Sequence, residues 1–204
     1  NDDFLITNHL ESEIFSGDPV NFSRMQKLTT LDRNLRGKEL LRKVSNSKKP
    51  INAETVLSIL RDKKAAVDSP LYPGNRKSID AMIATHSVIY DASEKVFYVS
   101  RGPSTSHVYE GYDLAKSFET QKPTLVQWLP EDSEFGASKT RIMKNEFLVL
   151  SQFKAKSCTE RKQAIGKITH ITDSFEYRYE RGLFELSCEN NKDSAREFFI
   201  QSLE

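Results

Sequence analysis

The chain has 204 residues, and its 30 Lys and Arg nearly balance its 29 Asp and Glu. A net charge of +1 attracts neither nucleic acid nor an anionic membrane surface through bulk electrostatics, so we expect neither partner. Hydrophobic residues make up 37% of the sequence, which predicts a folded chain rather than a disordered one. The longest apolar stretches, such as 79–90, fall well short of the roughly 20 residues that a membrane-spanning helix needs. No signal peptide is visible, and the cellular compartment stays open.

The cysteines and histidines predict no metal site. Cys158 and Cys188 lie 30 positions apart without a CxxC motif, which fits neither a disulfide framework nor a zinc site. Their apolar surroundings instead predict two buried structural thiols. The 4 histidines show neither HxH nor HExxH spacing.

The first part of the chain predicts a short strand and two helices. Residues 3–10 alternate in the pattern of a strand with a polar end. Asn21 or Ser23 is expected to cap a first helix with a single apolar stripe, and Asn52 to cap a second. The stripe of the first helix consists of Met25, Leu28, Leu31 and Leu35.

The middle of the chain predicts an antiparallel sheet. Residues 65–78 contain two prolines and a glycine and predict an irregular loop. Residues 78–90 are apolar or small on both faces, as in a strand that is covered on both sides, and 96–100 would complete a hairpin with it. A third strand is expected near 108–112. The order of strand, helices and hairpin predicts an α+β domain over 1–118.

Helical periodicity dominates the last part of the chain. We predict a linker over 119–133 and an all-helical tail over 134–204, in which four amphipathic helices form an antiparallel bundle. Ser157 and Glu160 have the spacing of a capping box at the start of one helix. No convincing repeat signature is present.

Two polar residues stand out as candidates for chemistry. Asn8 follows an apolar run, where its amide can donate to a developing oxyanion or can simply begin a turn. His86 lies among apolar neighbours, as either a hydrogen-bonded core residue or a member of a cleft. No GxSxG, P-loop or GxGxxG motif is present.

Three features together resemble a known family. They are ITNH at 6–9, a helix that opens with Ser23 and Arg24, and ATHSVIYDASEKVFYVSRGP at 84–103. In this order they resemble the C-terminal part of the acyl-coenzyme A:6-aminopenicillanic acid acyltransferase family, which belongs to the cysteine N-terminal-nucleophile hydrolases and is related to the choloylglycine hydrolases. The resemblance covers about 3–118. It implies the C-terminal part of an αββα sandwich, followed here by the helical tail.

The resemblance also implies roles for individual residues. Asn8 matches the oxyanion-hole asparagine, and Arg24 matches a recurrent arginine that either makes a structural ion pair or contacts a substrate carboxylate. His86 is a candidate for lining the same cleft, whereas Arg76 lies near the expected position of a later arginine without aligning to it. The nucleophile would be an N-terminal cysteine released by autoproteolysis upstream of Asn1, so we expect this chain alone to be inactive.

The expected partners are therefore an upstream half of the same protein and a small-molecule amide substrate. No cofactor is implied, because this chemistry needs only the cysteine, its amine and an oxyanion hole. The alternative is a non-catalytic interaction module whose helical tail docks a protein partner. The tail is rich in aromatic residues: Phe147, Phe153, Phe175, Tyr177, Tyr179, Phe184, Phe198 and Phe199. The sequence leaves open the substrate, the choice between hydrolase and acyltransferase, and the oligomeric state, with a homo-oligomer as one alternative.

Overall fold

A computed structural model describes residues 5–48, 50–82 and 84–202. The chain divides into two compact units, Asn1–Ala137 and Ser138–Glu204. Across the described residues, 49% of the chain is helix and 11% is strand, arranged as eight helices and one sheet of four antiparallel strands. The mixed α/β class predicted from the sequence is therefore confirmed.

The first unit begins with three helices and continues into the sheet. Its helices are α1 (Pro19–Lys27), α2 (Thr30–Asn46), α3 (Ala53–Leu60) and α4 (Leu114–Thr120). Its strands are β1 (Val88–Asp91), β2 (Val96–Ser100), β3 (Tyr109–Asp113) and β4 (Leu125–Leu129), which lie in this order in the sheet.

The N-terminal segment differs from its prediction. Residues 5–10 form no strand, and residues 3 and 4 lie outside the described part of the chain. The segment lies against α2 instead, where a Cβ at Gly37 would come within 2.7 Å of the Leu5 side chain. It is held by Asn21, whose side chain accepts from the backbone N–H of Leu10 and donates to the Leu10 carbonyl, both at 2.8 Å.

The first predicted helix is in fact two. Asp18 caps α1 with Pro19 at the first helical position, so neither Asn21 nor Ser23 is the cap. The chain then becomes extended at Leu28 before α2 begins, and the predicted single stripe is therefore interrupted. The second predicted helix is confirmed, because Asn52 caps α3 through the backbone N–H of Thr55.

The hairpin and the third strand are confirmed, but the strand predicted over 78–90 is too long. Of the strand predicted over 78–90, only the last three residues belong to a strand, because β1 begins at Val88. Ile83 lies outside the described residues. The predicted linker 119–133 contains β4, which pairs antiparallel with β3 around a register shift between Gly111 and Tyr112. Pairing with β3 satisfies the backbone groups on one side of β4, an interaction that local periodicity does not reveal.

Helix α3 covers one face of the sheet. Ala53 and Leu57 of α3 belong to one buried cluster with side chains from all four strands, and each of these strand side chains is 5% exposed or less. These strand residues are Ile89, Val96, Tyr98, Tyr109 and Leu129. Burial of this apolar surface is the main contribution to the stability of the unit.

The opposite face of the sheet, which we call the open face, is mostly apolar and partly exposed. The strand register places Glu110 on this face together with seven apolar or aromatic residues: Val88, Tyr90, Phe97, Val99, Tyr112, Leu125 and Trp128. Val88, Tyr90, Leu125 and Trp128 are 43–55% exposed. The guanidinium of Arg101 lies over the Trp128 ring at 5.5 Å and pairs with Glu110 at 2.9 Å. An apolar face of this extent is typical of a surface that another element covers.

The second unit consists of helices. Its elements are α5 (Ala137–Ser151, which begins one residue before the boundary), α6 (Cys158–Ile165), α7 (Phe175–Ser187) and α8 (Lys192–Gln201). The four predicted helices and the capping box of Ser157 and Glu160 are confirmed. The prediction for the cysteines is wrong: Cys158 and Cys188 form a disulfide that links the start of α6 to the end of α7. Neither cysteine is buried, and a spacing of 30 residues in sequence does not reveal that two chain segments meet.

Candidate functional site

Asn8, the predicted oxyanion donor, is an exposed residue of the segment that lies against α2. Its Oδ1 atom accepts a hydrogen bond of 2.7 Å from Nη2 of Arg33. A guanidinium group has donors and no acceptor, so the amide atom that faces Arg33 must be the oxygen. The Nδ2 amide group of Asn8 is therefore directed away from Arg33.

Arg33 is itself fixed by further hydrogen bonds. Its Nη1 atom donates to Oγ1 of Thr29 at 2.7 Å and to the backbone carbonyl of Arg76 at 2.8 Å. Among the residues that the structure describes, no carboxylate lies within 4.0 Å of this guanidinium. Burial lowers the pKa of Arg33, and the nearby charge of Asp32 offsets part of that effect. Arg33 remains a cation, since arginine does not lose its proton in proteins.

His9, next to Asn8, is only 4% exposed. Its Nδ1 atom lies 3.0 Å from Oγ1 of Thr7 and 2.9 Å from Oγ1 of Thr30, and its Nε2 atom lies 3.4 Å from Oε1 of Glu11. A carboxylate opposite Nε2 favours the ring form that carries a proton there. His9 is therefore a structural anchor, and it ties both sides of Asn8 to the start of α2.

A cavity of about 440 Å³ lies beside this segment. Its lining includes Glu11 and Lys38, which pair at 3.0 Å, and the apolar side chains of Phe22, Met25 and Leu31. The hydrogen bond from Lys38 lowers the pKa of Glu11 against the opposing effect of burial, and Asn34 adds a further hydrogen bond. The lining of the cavity thus combines an ion pair with apolar side chains.

The other two predicted site residues do not join this cluster. Arg24 is exposed on α1, and His86 is exposed just before β1, where its Nδ1 atom lies 3.0 Å from Oγ1 of Thr85. Within the described residues, no hydrogen bond or ion pair connects either of them to Asn8. Arg76, which did not align, contributes its backbone carbonyl to the cluster as an acceptor for Arg33.

Sequence reasoning missed Arg33, Glu11 and Lys38. Glu11 and Lys38 lie 27 residues apart, and Arg33 lies 25 residues from Asn8. These residues meet only because the coil segment 5–11 folds onto α2, and no local spacing in the sequence predicts such a contact. A surplus of cations on the α2 sequence around Lys38 was the only visible signal.

The arrangement offers an amide donor whose oxygen is bonded to a fixed cation. The neighbouring residue His9 lines the cavity, whereas Asn8 and Arg33 are not part of its lining. Amide donors of this kind stabilise oxyanions, and a nearby cation strengthens the effect. The described residues contain no group of three or more His, Cys, Asp or Glu suited to a metal ion. None of their helices is long and apolar enough to cross a membrane.

Searches of protein-family models, curated proteins and solved structures found no match to the chain.

Proposed function

We propose that this chain is the C-terminal part of a cysteine N-terminal-nucleophile amidohydrolase or acyltransferase that acts on a non-peptide or short amide bond. The observation that carries the proposal is the four-stranded sheet, of which α3 covers one face while the other face is partly exposed and, apart from Glu110, mostly apolar. In an αββα sandwich, a second sheet with its own helical layer covers such a face. The resemblance of ITNH and the hairpin to that family motivates the choice of this sandwich over others.

In the proposed reaction the nucleophile is a cysteine at the N-terminus of the upstream half. Its α-amine takes the thiol proton, and the sulfur forms a bond to the amide carbon. The carbonyl oxygen then carries a negative charge, to which Nδ2 of Asn8 donates a hydrogen bond. As the C–N bond breaks, the leaving nitrogen takes the proton from the α-ammonium group. Water or an acceptor amine then cleaves the thioester, which restores the thiol and releases an acid or a new amide.

Arg24 and His86 have weaker proposed roles. Both side chains are exposed, so each is accessible to a substrate or to the upstream half. Arg24 would bind a substrate carboxylate or make an ion pair with the missing half. His86 would line the cleft at the edge of the sheet, since its backbone forms an isolated bridge to Ser104 beside β1.

The first test is the mass and N-terminal sequence of the protein produced from its natural full-length gene. We expect a second chain that begins with cysteine and that co-purifies with this one. A single chain without an upstream cysteine-led segment would refute the proposal.

A kinetic test follows on the processed protein. Asn8→Ala should lower kcat by about 100-fold, because it removes an oxyanion donor. Asn145→Ala, at an exposed position of α5, is the matched control and should leave kcat unchanged. Unchanged turnover in Asn8→Ala would remove Asn8 from the mechanism.

A second candidate function is a docking module formed by the helical unit. It is favoured by six large apolar side chains of the helical unit that remain 40–58% exposed: Ile142, Leu148, Phe175, Tyr179, Leu186 and Ile200. Phe175 and Tyr179 stack on each other at 5.7 Å, so they present one continuous apolar surface. Deletion of 138–204 separates the possibilities: a first unit that stays folded and soluble favours docking, and one that aggregates favours a capping role for the helices.

A further inference from the structure

We propose that Arg33 is a positioning residue that fixes the orientation of the Asn8 amide and strengthens it as a hydrogen-bond donor. This inference rests on the proposed function, in which Asn8 stabilises an oxyanion. It adds a residue from α2 that none of the sequence motifs includes.

The first step of the argument is the direction of the amide. An exposed asparagine is free to rotate, and either its oxygen or its nitrogen could face a reacting carbonyl. The bond of 2.7 Å from Nη2 of Arg33 to Oδ1 of Asn8 removes this freedom. It leaves Nδ2, the only end that can donate to an oxyanion, on the other side.

The second step is that Arg33 is held independently of Asn8. Its Nη1 atom bonds Thr29 and the carbonyl of Arg76, so the guanidinium keeps its place when Asn8 is changed. The helix that bears it is also anchored. Three positions further along α2, Arg36 is 2% exposed and forms a two-pronged ion pair with Asp62, at 2.8 and 2.7 Å.

The third step is that the backbone on either side of Asn8 is fixed as well. The buried ring of His9 bonds the hydroxyls of Thr7 and Thr30, and Asn21 holds the backbone of Leu10 through two hydrogen bonds. The contacts of His9 and Asn21 therefore fix the backbone around Asn8, and the bond from Arg33 fixes its side-chain amide. Residues fixed in this way keep the donor in position as charge develops, without reorganisation.

The fourth step is electrostatic. Charge-assisted hydrogen bonds are stronger than neutral ones, and a cation on the amide oxygen withdraws electron density from the amide nitrogen. The Nδ2–H groups thus become better donors. Because no carboxylate of the described residues lies within 4.0 Å of Arg33, its charge is not cancelled at close range.

The experiment uses the full-length processed protein and the variants Arg33→Met, Arg33→Lys and Arg33→Met/Asn8→Ala. Arg33→Met removes every donor while it preserves an unbranched apolar side chain, and we expect kcat to fall by roughly 10- to 100-fold with KM unchanged within about twofold. Arg33→Lys keeps the charge and one donor and should recover part of the loss. Arg42→Met, an exposed arginine of the same helix, is the control and should match the wild type.

The double variant distinguishes positioning from a separate effect. If Arg33 acts through Asn8, then Arg33→Met in the Asn8→Ala background should lower kcat by less than about twofold further. A full additional loss would overturn the proposal, because Arg33 would then act on its own.

Selective ¹⁵N-asparagine labelling gives a readout that does not depend on turnover. The side-chain amide signals of Asn8, identified by their loss in Asn8→Ala, should shift in Arg33→Met and stay in place in Arg42→Met. Unmoved Asn8 signals in a folded Arg33→Met protein would overturn the inference while leaving the proposed function intact. Shifted signals in a protein whose Asn8→Ala variant retains full turnover would instead refute the role of Asn8, and with it the positioning role.

Discussion

The disulfide between Cys158 and Cys188 should contribute much of the stability of the helical unit. The two cysteines are 30 residues apart in sequence, so the bond closes a loop of that size in the unfolded chain. Loop-closure entropy for such a loop is about 12 cal/mol/K, which corresponds to about 3.6 kcal/mol at 25 °C. The variant Cys158→Ala/Cys188→Ala should lose this contribution.

Amide hydrogen exchange of α6, α7 and α8 measures this loss within the helical unit. A destabilisation of about 3.6 kcal/mol lowers the protection of amides that exchange by unfolding of the unit roughly 400-fold. The control is addition of reductant, which should reproduce the effect in the wild type and do nothing to the double variant. A fall in protection below about fivefold, or two free thiols in the unreduced wild type, would refute the reasoning.

Two further predictions concern a core residue and a buried carboxylate. Leu57→Ala should destabilise the first unit by about 3 kcal/mol, because Leu57 is 4% exposed between α3 and the sheet. The fluorescence of Trp128, the one tryptophan of the sequence, reports this unfolding. The control is Phe118→Ala, which should change stability little because the Phe118 side chain is 79% exposed. Glu146 is 7% exposed; burial raises its pKa, but hydrogen bonds from the backbone N–H groups of Thr169 and His170 and from the His170 ring outweigh burial and leave the pKa lowered. Because its pKa is lowered on folding, ionised Glu146 stabilises the folded state at pH values above its unfolded-state pKa of about 4.3. This stabilisation is lost as the pH falls below that value and through the folded-state pKa. Unfolding monitored by circular dichroism from pH 6 to 3 should thus show a weaker acid dependence in Glu146→Gln, and an identical slope in both proteins would contradict this account.

Part of the candidate site was predictable from sequence and part was not. Asn8 was named from its place after an apolar run and from the ITNH resemblance, and its role stays a prediction. Its link to Arg33 was out of reach, because the predicted strand over 3–10 would have given this segment sheet partners. In the structure the segment instead bonds to α1 and α2 through side chains, which brings Arg33 and Asn8 together.

The sequence by itself determined the elements whose signals are local. Asn52 before an apolar stripe defined α3, Ser157 with Glu160 defined the start of α6, and a turn between two apolar runs defined the β1–β2 hairpin. Each of these depends on residues within a few positions of one another, where hydrogen bonds and helical or strand periodicity are set by the chain itself.

Only the tertiary structure decided the features that depend on distant partners. The break between α1 and α2 falls where Thr29 and Thr30 bond Arg33 and His9, and β4 exists because β3 lies beside it. The disulfide needed the start of α6 and the end of α7 to meet. The physical reason is common to all three. Strand pairing, side-chain anchoring and cross-linking stabilise the fold only through contacts between distant segments, and local residue patterns do not specify which segments meet.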